Sequence, residues 1–340
     1  MTQNSAYGQA GVSIAEGSRA VELMKDAVRA TYGKEVLAGI GAFGGLFDAS
    51  ALKGMQSPTL VASTDGVGTK TKVAARFQRW DTIGQDLVNH CVNDILVQGA
   101  RPLFFLDYVA SSKLDAQQIA AIVGGIASAC RALGCALLGG ETAEMPGVYE
   151  RGEIDLVGTI IGVVERSAII DGSRIQAGDA IIGLPSSGLH TNGYSLARKA
   201  LESLDWQHPQ PELNGQTIGE ALLAVHRCYL SQVEKLWQAG LDVRGLAHIT
   251  GGGFIDNLPR ILPEGAGAVI RRGSWTELPI FALIQRSGNI TAAEMFHVFN
   301  MGIGMLIVLP AAQAQAALDT LSGDAHLVGE IVSGQGVTIA

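Results

Sequence analysis

The sequence predicts an α+β fold of two domains, each a mixed β-sheet layered with helices. With 340 residues, the chain is long enough for two domains that each bury a core. Short apolar runs typical of strands alternate with segments of helical periodicity. Residues 165–177 are charged and lack sustained periodicity, which predicts a linker. We therefore place the domains at residues 1–166 and 167–340.

The composition limits the possible partners. Hydrophobic residues make up 47% of the chain and charged residues 16%, which predicts a compact protein with some apolar surface covered by a partner subunit. A net charge of −8 argues against nucleic acid or an anionic membrane as partner. No apolar run is long enough to span a bilayer, and Met1–Gly8 lacks the features of a signal peptide, so we expect a cytoplasmic protein. The four cysteines form no CxxC pair and are interpreted as reduced and structural.

The first half alternates helices with strands. Periodicity predicts helices at residues 13–31, 82–98 and 115–133 and strands at residues 59–64, 103–109, 135–138 and 154–164. The first helix begins with a capping-box pattern at Ser13 and Glu16. Residues 39–47 hold too many glycines for a helix or a central strand. We interpret them as a mobile flap that closes over a ligand, with a bulged strand as the alternative.

The strand at residues 59–64 leads into a turn with the residue types of a phosphate site. Gly66 and Gly68 let the backbone approach an anion, and Lys70 supplies a positive charge. Asp65 alone would repel phosphate, so its presence suggests a magnesium ion between the two. The alternative is a hairpin tip with a solvated Asp and Lys.

The helix at residues 82–98 has an unusual polar side. That side contains no Lys, Arg or Glu and carries only short polar groups and one imidazole, namely Asp86, Asn89, His90, Asn93 and Asp94. Such a side suits a bound cation or nucleotide, or else a buried hydrogen-bond network. A second acidic loop is predicted at Gly139–Gly147, where Glu141 follows two glycines.

The second half repeats the pattern of strand, polar loop and helix start. A strand at residues 178–184 precedes the loop Pro185–Ser195 and a helix to about Leu204. A long helix is predicted within residues 216–239, and a glycine nest lies at Gly251–Gly253. Amide groups of such loops and helix starts form pockets for anions.

Several of these strings, in one order, resemble the aminoimidazole ribonucleotide (AIR) synthetase family over nearly the whole chain. They are Thr64–Lys70, Cys91–Asp94, Gly99–Tyr108, Gly139–Gly147, Ser186–Leu196, Leu246–Phe254 and Phe299–Met305. Relatives in the wider superfamily carry a reactive cysteine near the N-terminus or a C-terminal cysteine tail. Here no cysteine precedes Cys91, and the chain ends without one.

The resemblance implies an AIR synthetase-like fold and a homodimer, with residues 1–166 as the ATP-binding and dimerisation domain and residues 167–340 as the C-terminal AIR synthetase-like domain. It also implies the activity of an ATP-dependent cyclo-ligase. The substrate would be formylglycinamidine ribonucleotide (FGAM), converted to 5-aminoimidazole ribonucleotide with release of ADP and phosphate in de novo purine biosynthesis. ATP would be the co-substrate, with Mg²⁺. A small-molecule kinase resembling thiamine monophosphate kinase is the alternative, and a nucleotide-binding scaffold without turnover is a third hypothesis.

The resemblance also implies roles for particular residues. Magnesium would be bound, directly or through water, by Asp65, Asp94 and Glu141. The catalytic residues would be Asp65, Asp94 and His190, with a loop histidine whose hydrogen bonds are satisfied as the alternative for His190. ATP would be bound by Lys25, Asp65, Gly66, Gly68, Thr69 and Lys70. FGAM would be bound by Ser187, His190, Asn192, His248, Gly251, Gly252 and Gly253.

Overall fold

A computed structural model describes residues 11–340, so the predicted absence of a signal peptide at Met1–Gly8 lies outside the described residues. The chain forms two compact units. The first ends at Ser167 and omits Leu96–Gly99, which group with the second unit, Ala168–Ala340. Within the described residues, no helix combines the length and the apolar character needed to cross a membrane.

The first unit contains a four-stranded sheet and a two-stranded ribbon. The ribbon pairs β1 (Val36–Ala38) with β2 (Leu46–Phe47), and its register shifts between Val36 and Ala38. The sheet strands are β3 (Pro58–Gly66), β4 (Arg101–Ser111), β5 (Ala136–Glu144) and β6 (Ile154–Glu165). Their order is β3-β6-β4-β5, with only β4 and β5 parallel. The helices are α1 (Ile14–Arg29), α2 (Lys70–Phe77), α3 (Asp81–Leu96) and α4 (Ala116–Ala132).

Glycines let α3 lie close to both its neighbours. A Cβ at Gly158 of β6 would meet Leu87 at 2.9 Å, and one at Gly162 would meet Ile95 at 2.5 Å, so α3 packs directly on the sheet. A Cβ at Gly84 of α3 would lie 2.1 Å from the carbonyl oxygen of Ile122 in α4. The helix that carries the polar side is therefore held between the sheet and α4 with little freedom to shift.

The second unit is built on a six-stranded sheet. Its strands are β7 (Ala180–Pro185), β8 (Gly245–His248), β9 (Ala266–Ile270), β10 (Ile303–Leu309), β11 (His326–Ser333) and β12 (Gly336–Ile339). Their order is β12-β9-β11-β7-β10-β8, and only the β12–β9 pair is parallel. The helices are α5 (Tyr194–Ala200), α6 (Ile218–Leu223), α7 (Leu230–Gln238), α8 (Gly253–Asn257), α9 (Pro279–Gly288), α10 (Ala292–Val298) and α11 (Ala314–Thr320). Both sheets are mixed, which confirms the predicted fold class.

Two local predictions were wrong, and one helix was missed. The long helix at 216–239 is interrupted, because residues 224–229 between α6 and α7 are not helical. Tertiary contacts hold this segment, since the hydroxyl of Tyr229 donates to the carbonyl of Pro185 at 3.0 Å. The acidic loop at 139–147 is strand as far as Glu144, because β5 pairs with β4 along that length. The helix α2 was not predicted.

The predicted capping box at the first helix is half formed. Ser13 Oγ accepts a hydrogen bond from the Glu16 N–H at 3.3 Å. In a complete capping box the Ser13 N–H would donate to Glu16. Here it donates to the carboxylate of Glu144 on β5 instead. Glu16 instead accepts from the N–H of Ala116 at 3.3 Å. The box residues thus connect α1 to β5 and α4.

Candidate active site

In the first unit, an acidic cluster forms where the end of β3 meets α3. Asp65 and Asp94 both lie beside His90, whose Nε2 is 2.8 Å from Asp65 Oδ2 and 3.5 Å from Asp94 Oδ2. Ser63 Oγ donates to Asp94 Oδ2 at 3.2 Å. One oxygen of each carboxylate and one His90 nitrogen all lie within 4.8 Å of one another. The structure therefore brings together two of the three predicted magnesium ligands.

His90 balances the charge of this cluster. Its side chain is only 3% exposed, whereas that of Asp65 is 48% exposed. Burial alone would lower the pKa of His90, but the hydrogen bond to Asp65 and the negative charges of Asp94, Asp65 and Asp86 raise the pKa overall. Because ionised carboxylates only accept, Nε2 carries the proton in the bond to Asp65. The sequence placed His90 on the polar side that suits a cation, a nucleotide or a buried hydrogen-bond network, but it did not show that His90 would bond to Asp65.

The donor set of the cluster fits magnesium. Two carboxylates and a hydroxyl are hard oxygen ligands of the kind that this ion prefers. Asp65 is half exposed and Asp94 is a quarter exposed, so an ion bound to phosphate could approach them. His90 fits as a proton donor to Asp65 rather than as a ligand, because its Nε2 already points at the carboxylate.

Glu141, the third predicted ligand, does not belong to this cluster. It lies on β5, while Asp65 lies on β3 at the opposite edge of the sheet. Three strand spacings separate the edges, a distance of roughly 14 Å. Magnesium binds oxygen at about 2 Å, so one ion cannot contact Asp65 and Glu141 of the same chain. Of the three carboxylates predicted to bind magnesium, directly or through water, only Asp65 and Asp94 therefore lie together.

Lys70 differs most from its predicted placement. We expected a mobile charge at the rim of a turn, but Lys70 begins α2 and is fully buried. Its Nζ lies 2.7 Å from Asp86 Oδ2, and both side chains are 0% exposed. Burial lowers the pKa of Lys70, an effect that the charge of Asp86 opposes. This pair connects the start of α2 to α3, and the predicted contact of Lys70 with ATP phosphates is not supported by its position.

The other predicted ATP residues lie in the turn between β3 and α2 and on α1. The N–H of Gly66 donates to Asp65 Oδ1 at 2.6 Å, and Gly68 has a φ of 56°, which a non-glycine residue rarely adopts. Thr69 precedes α2 as its N-cap residue. Lys25 lies on α1 with its Nζ 3.4 Å from Glu22.

A pocket of about 950 Å³ lies beneath the predicted flap. Residues 39–47 form one side of it, α1 forms another, and strands β3, β4, β5 and β6 form its floor. Glu141 and Asp107 also line it. Burial raises the pKa of Asp107 to about 7. The sequence gave no signal for Asp107, whose carboxyl group lies over Gly140 on the neighbouring strand.

In the second unit, the loop after β7 places His190 in a constrained backbone. His190 has a φ of 64°, an uncommon value for a residue other than glycine. Its imidazole is buried, and its Nε2 accepts from the N–H groups of Ser187 at 3.3 Å and Arg227 at 3.5 Å. The proton of neutral His190 therefore lies on Nδ1.

The predicted glycine nest is held beside this loop. The side-chain amide of Asn257 donates to the carbonyls of Thr250, Gly251 and Gly253 at 3.3, 3.2 and 2.8 Å. A Cβ at Gly251 would lie 3.3 Å from Asn192 Oδ1, so the nest and the loop are in contact. The structure thus gathers Asn192 and Gly251 in one place, as the predicted substrate site requires.

The segment between α6 and α7 adds residues that the sequence did not predict. Ser187 Oγ donates to the carbonyl of Val225. Arg227 Nη1 donates to Asp324 Oδ1 at 2.9 Å and to the carbonyl of Pro185 at 3.2 Å. His226 lies between His190 and His248. These residues were missed because the segment was predicted to be helical. Its non-helical backbone is held by tertiary contacts that the sequence does not show.

Two family models match most of the chain. The model described as AIR synthase related protein, N-terminal domain, matches residues 47–164, and the corresponding C-terminal domain model matches residues 176–340. With the two mixed sheets and the acidic cluster, these matches define the class as a two-domain AIR synthase related protein.

Curated relatives narrow the class. A phosphoribosylformylglycinamidine cyclo-ligase of Desulfitobacterium hafniense (strain DSM 10664 / DCB-2) is 53% identical over 333 residues, which are 97% of each chain. The enzyme of that name from Geobacillus kaustophilus (strain HTA426) is 51% identical over 343 residues, 98% of each chain. The chain belongs to the phosphoribosylformylglycinamidine cyclo-ligase (AIR synthetase) family, which confirms the resemblance seen in its motifs.

Solved structures share the fold at low identity. A thiamine-monophosphate kinase from Stenotrophomonas maltophilia K279a has a TM-score of 0.69 at 20% identity, covering 93% of this chain and 95% of its own. The hydrogenase maturation protein HypE in complex with ATP has a TM-score of 0.64 at 20% identity, covering 92% of this chain and 86% of its own. At such identities the likeness concerns the fold alone.

Proposed function

We propose that this protein catalyses the ATP-dependent ring closure of FGAM to 5-aminoimidazole ribonucleotide, with release of ADP and phosphate, in de novo purine biosynthesis. The observation that carries the proposal is 53% identity with a cyclo-ligase across 97% of the chain. A kinase function has less support, because the kinase neighbour is only 20% identical and shares the fold alone.

The chemistry explains why ATP is needed. An amide oxygen is a poor leaving group, so ring closure needs that oxygen converted into a phosphate ester. The amide oxygen of FGAM attacks the γ-phosphorus of ATP, and ADP leaves. The amidine nitrogen then attacks the activated carbon, the C–O bond breaks, and phosphate departs. Such phosphoryl transfer depends on positioning and charge neutralisation rather than on a protein nucleophile.

We assign the phosphate end of ATP to the acidic cluster of the first unit. Asp65 and Asp94 would hold magnesium, which supplies the positive charge that neutralises the phosphates. His90 keeps Asp65 in place through the 2.8 Å bond, and Ser63 orients Asp94 through the 3.2 Å bond. The proposal requires no direct contact of Lys70 with ATP, because Lys70 is buried against Asp86.

We assign FGAM to the loop and nest of the second unit. Asn192 and the glycines at 251–253 offer amide groups suited to the ribose phosphate. Neutral His190 carries its proton on Nδ1, since its Nε2 accepts from the N–H groups of Ser187 and Arg227. Ser187 and His248 complete the proposed site.

We further propose a cytoplasmic homodimer. In it, a partner subunit covers the face of the first unit's sheet that forms the floor of the pocket. Large apolar side chains are exposed on or beside this face: Leu37 by 65%, Leu46 by 58% and Leu60 by 64%. Exposed apolar groups clustered in this way mark protein interfaces. Sedimentation of Leu60→Glu should show a shift toward monomer, whereas an unchanged mass would contradict this choice of face.

An isotope experiment tests the reaction. FGAM labelled with ¹⁸O in its formyl oxygen is incubated with ATP, Mg²⁺ and the protein. We expect the label in the released phosphate, one phosphate for each product molecule, because the C–O bond is the bond that breaks. Label found in water, alongside full product formation, would contradict phosphorylation of the amide. Transfer of phosphate to a stable product would instead indicate a kinase.

A further inference from the structure

His226 occupies a central position among the predicted substrate residues. Its side chain is fully buried in the segment between α6 and α7. Its ring stacks on His190 with centroids 3.9 Å apart and planes 19° apart. Its Nδ1 lies 3.3 Å from Thr191 Oγ1, and its Nε2 lies 3.0 Å from His248 Nε2. One side chain thus contacts both histidines of the proposed substrate site.

These hydrogen bonds can form one continuous chain. The amide of Asn192 donates to Thr191 Oγ1 at 3.4 Å, and the Thr191 hydroxyl, which can accept two bonds and donate one, can in turn donate to His226 Nδ1. A neutral His226 then carries its proton on Nε2 and donates it to His248 Nε2. In such a chain each bond polarises the next, so this direction is the cooperative one.

This chain of hydrogen bonds sets the tautomer of His248. If His248 Nε2 accepts from His226, the proton of neutral His248 lies on Nδ1. His190 has the same tautomer, because its Nε2 accepts two backbone N–H groups. Both histidines therefore carry their proton on Nδ1 and keep Nε2 engaged by the protein.

We propose that His226 is a positioning residue that fixes the tautomer of His248 and the ring planes of His248 and His190 for binding FGAM. The inference deepens the proposed function and rests on the assignment of FGAM to this unit. His226 acts through its neighbours, since its own ring nitrogens are both engaged by Thr191 and His248.

The first measurement needs no mutation. In the full-length protein labelled with ¹⁵N at histidine, long-range ¹H–¹⁵N spectra distinguish a protonated ring nitrogen from an unprotonated one. We expect His226 to be protonated on Nε2 and His248 on Nδ1. A proton on His248 Nε2 would reverse the direction of the bond and overturn the proposal, whatever the enzyme activity.

Two substitutions then separate positioning from packing. His226→Gln keeps an N–H donor near the position of Nε2, whereas His226→Leu has a similar volume and no donor. We expect the KM for FGAM to rise about tenfold in the Leu variant, the effect of losing one ordinary hydrogen bond, with the KM for ATP unchanged. The Gln variant should remain within about twofold of the unmodified protein. The matched control is His208→Gln, which alters an exposed histidine paired with Asp205.

The outcomes are distinguishable. An unchanged KM for FGAM and an unchanged His248 tautomer in the Leu variant would overturn the proposal. If the Leu variant does not fold, the Gln variant decides, because a positioning role predicts that it keeps the Nδ1–H signal of His248. If the unmodified protein does not turn over FGAM at all, the proposed function fails. The tautomer of His248 would still report whether His226 orients it.

Discussion

Adjacent glycines of α4 offer a sharp test of how closely the helices of the first unit pack. A Cβ added at Gly124 would meet no atom within 4 Å, whereas one added at Gly125 would lie 2.1 Å from the backbone oxygen of Asp81 in α3. The two positions share one helix and one helical backbone. Alanine therefore changes helix propensity equally at both, and any difference between the variants reports the contact with α3.

The expected changes in stability have opposite signs. Replacing glycine by alanine inside a helix stabilises it by about 1 kcal/mol, and Gly124→Ala should keep most of that gain. At Gly125 the new carbon is more than 1 Å closer than an ordinary contact of about 3.5 Å. Because the opposing atom is backbone, α3 must shift, and such overpacking costs about 1–3 kcal/mol or more. Gly125→Ala should thus be less stable than Gly124→Ala by roughly 1–3 kcal/mol.

Unfolding in urea and hydrogen exchange of the amides in α3 and α4 would measure this difference. Since α3 also carries His90 and Asp94, Gly125→Ala should require more Mg²⁺ for half-maximal activity, and Gly124→Ala should not. Equal stability of the two variants would refute the close contact between α3 and α4. A stable Gly125→Ala with unchanged Mg²⁺ dependence would refute the link between that contact and the acidic cluster.

The remaining predictions concern single groups of the two proposed sites. Asp94→Asn keeps the size of the side chain but removes a hard anionic ligand, so activity should fall at least about tenfold or require more Mg²⁺; unchanged Mg²⁺ dependence would exclude Asp94 as a ligand. His190→Ala should weaken FGAM binding and leave ATP binding intact by calorimetry, and the reverse result would exchange the two assigned pockets. Burial raises the pKa of Asp107 from 3.8 to about 7, so the folded state binds the proton more tightly than the unfolded state and loses stability as the pH rises from about 4 to 7. Asp107→Asn should match the unmodified protein near pH 4 and exceed its stability at pH 8 in urea unfolding by about 1 kcal/mol or more, whereas equal stability at both pH values would contradict a carboxyl that is protonated in the folded state.

Much of the architecture could be predicted from local patterns. Alternating strand and helix periodicity indicated two α+β units, because side-chain burial repeats with the period of each element. The absence of long charged side chains on one side of α3 marked the face that meets Asp65. The glycines at 251–253 marked a turn, and Gly252 and Gly253 indeed have φ values of 94° and 56°. Each of these signals lies within a few residues of the feature it predicts.

Only the tertiary structure decided which distant groups meet. Lys70 looked like a rim residue because the sequence does not show that Asp86 will lie 2.7 Å away. Glu141 looked like a third ligand because the sequence does not show that β3 and β5 occupy opposite edges of the sheet. His226 was predicted to be helical, yet its segment is not a helix and is held by contacts with Thr191 and His248. The sequence by itself determined the types of group available and their local geometry. Burial, ion pairing and strand order depend on contacts between remote segments, whose free energies exceed local propensity and arise only in the folded chain.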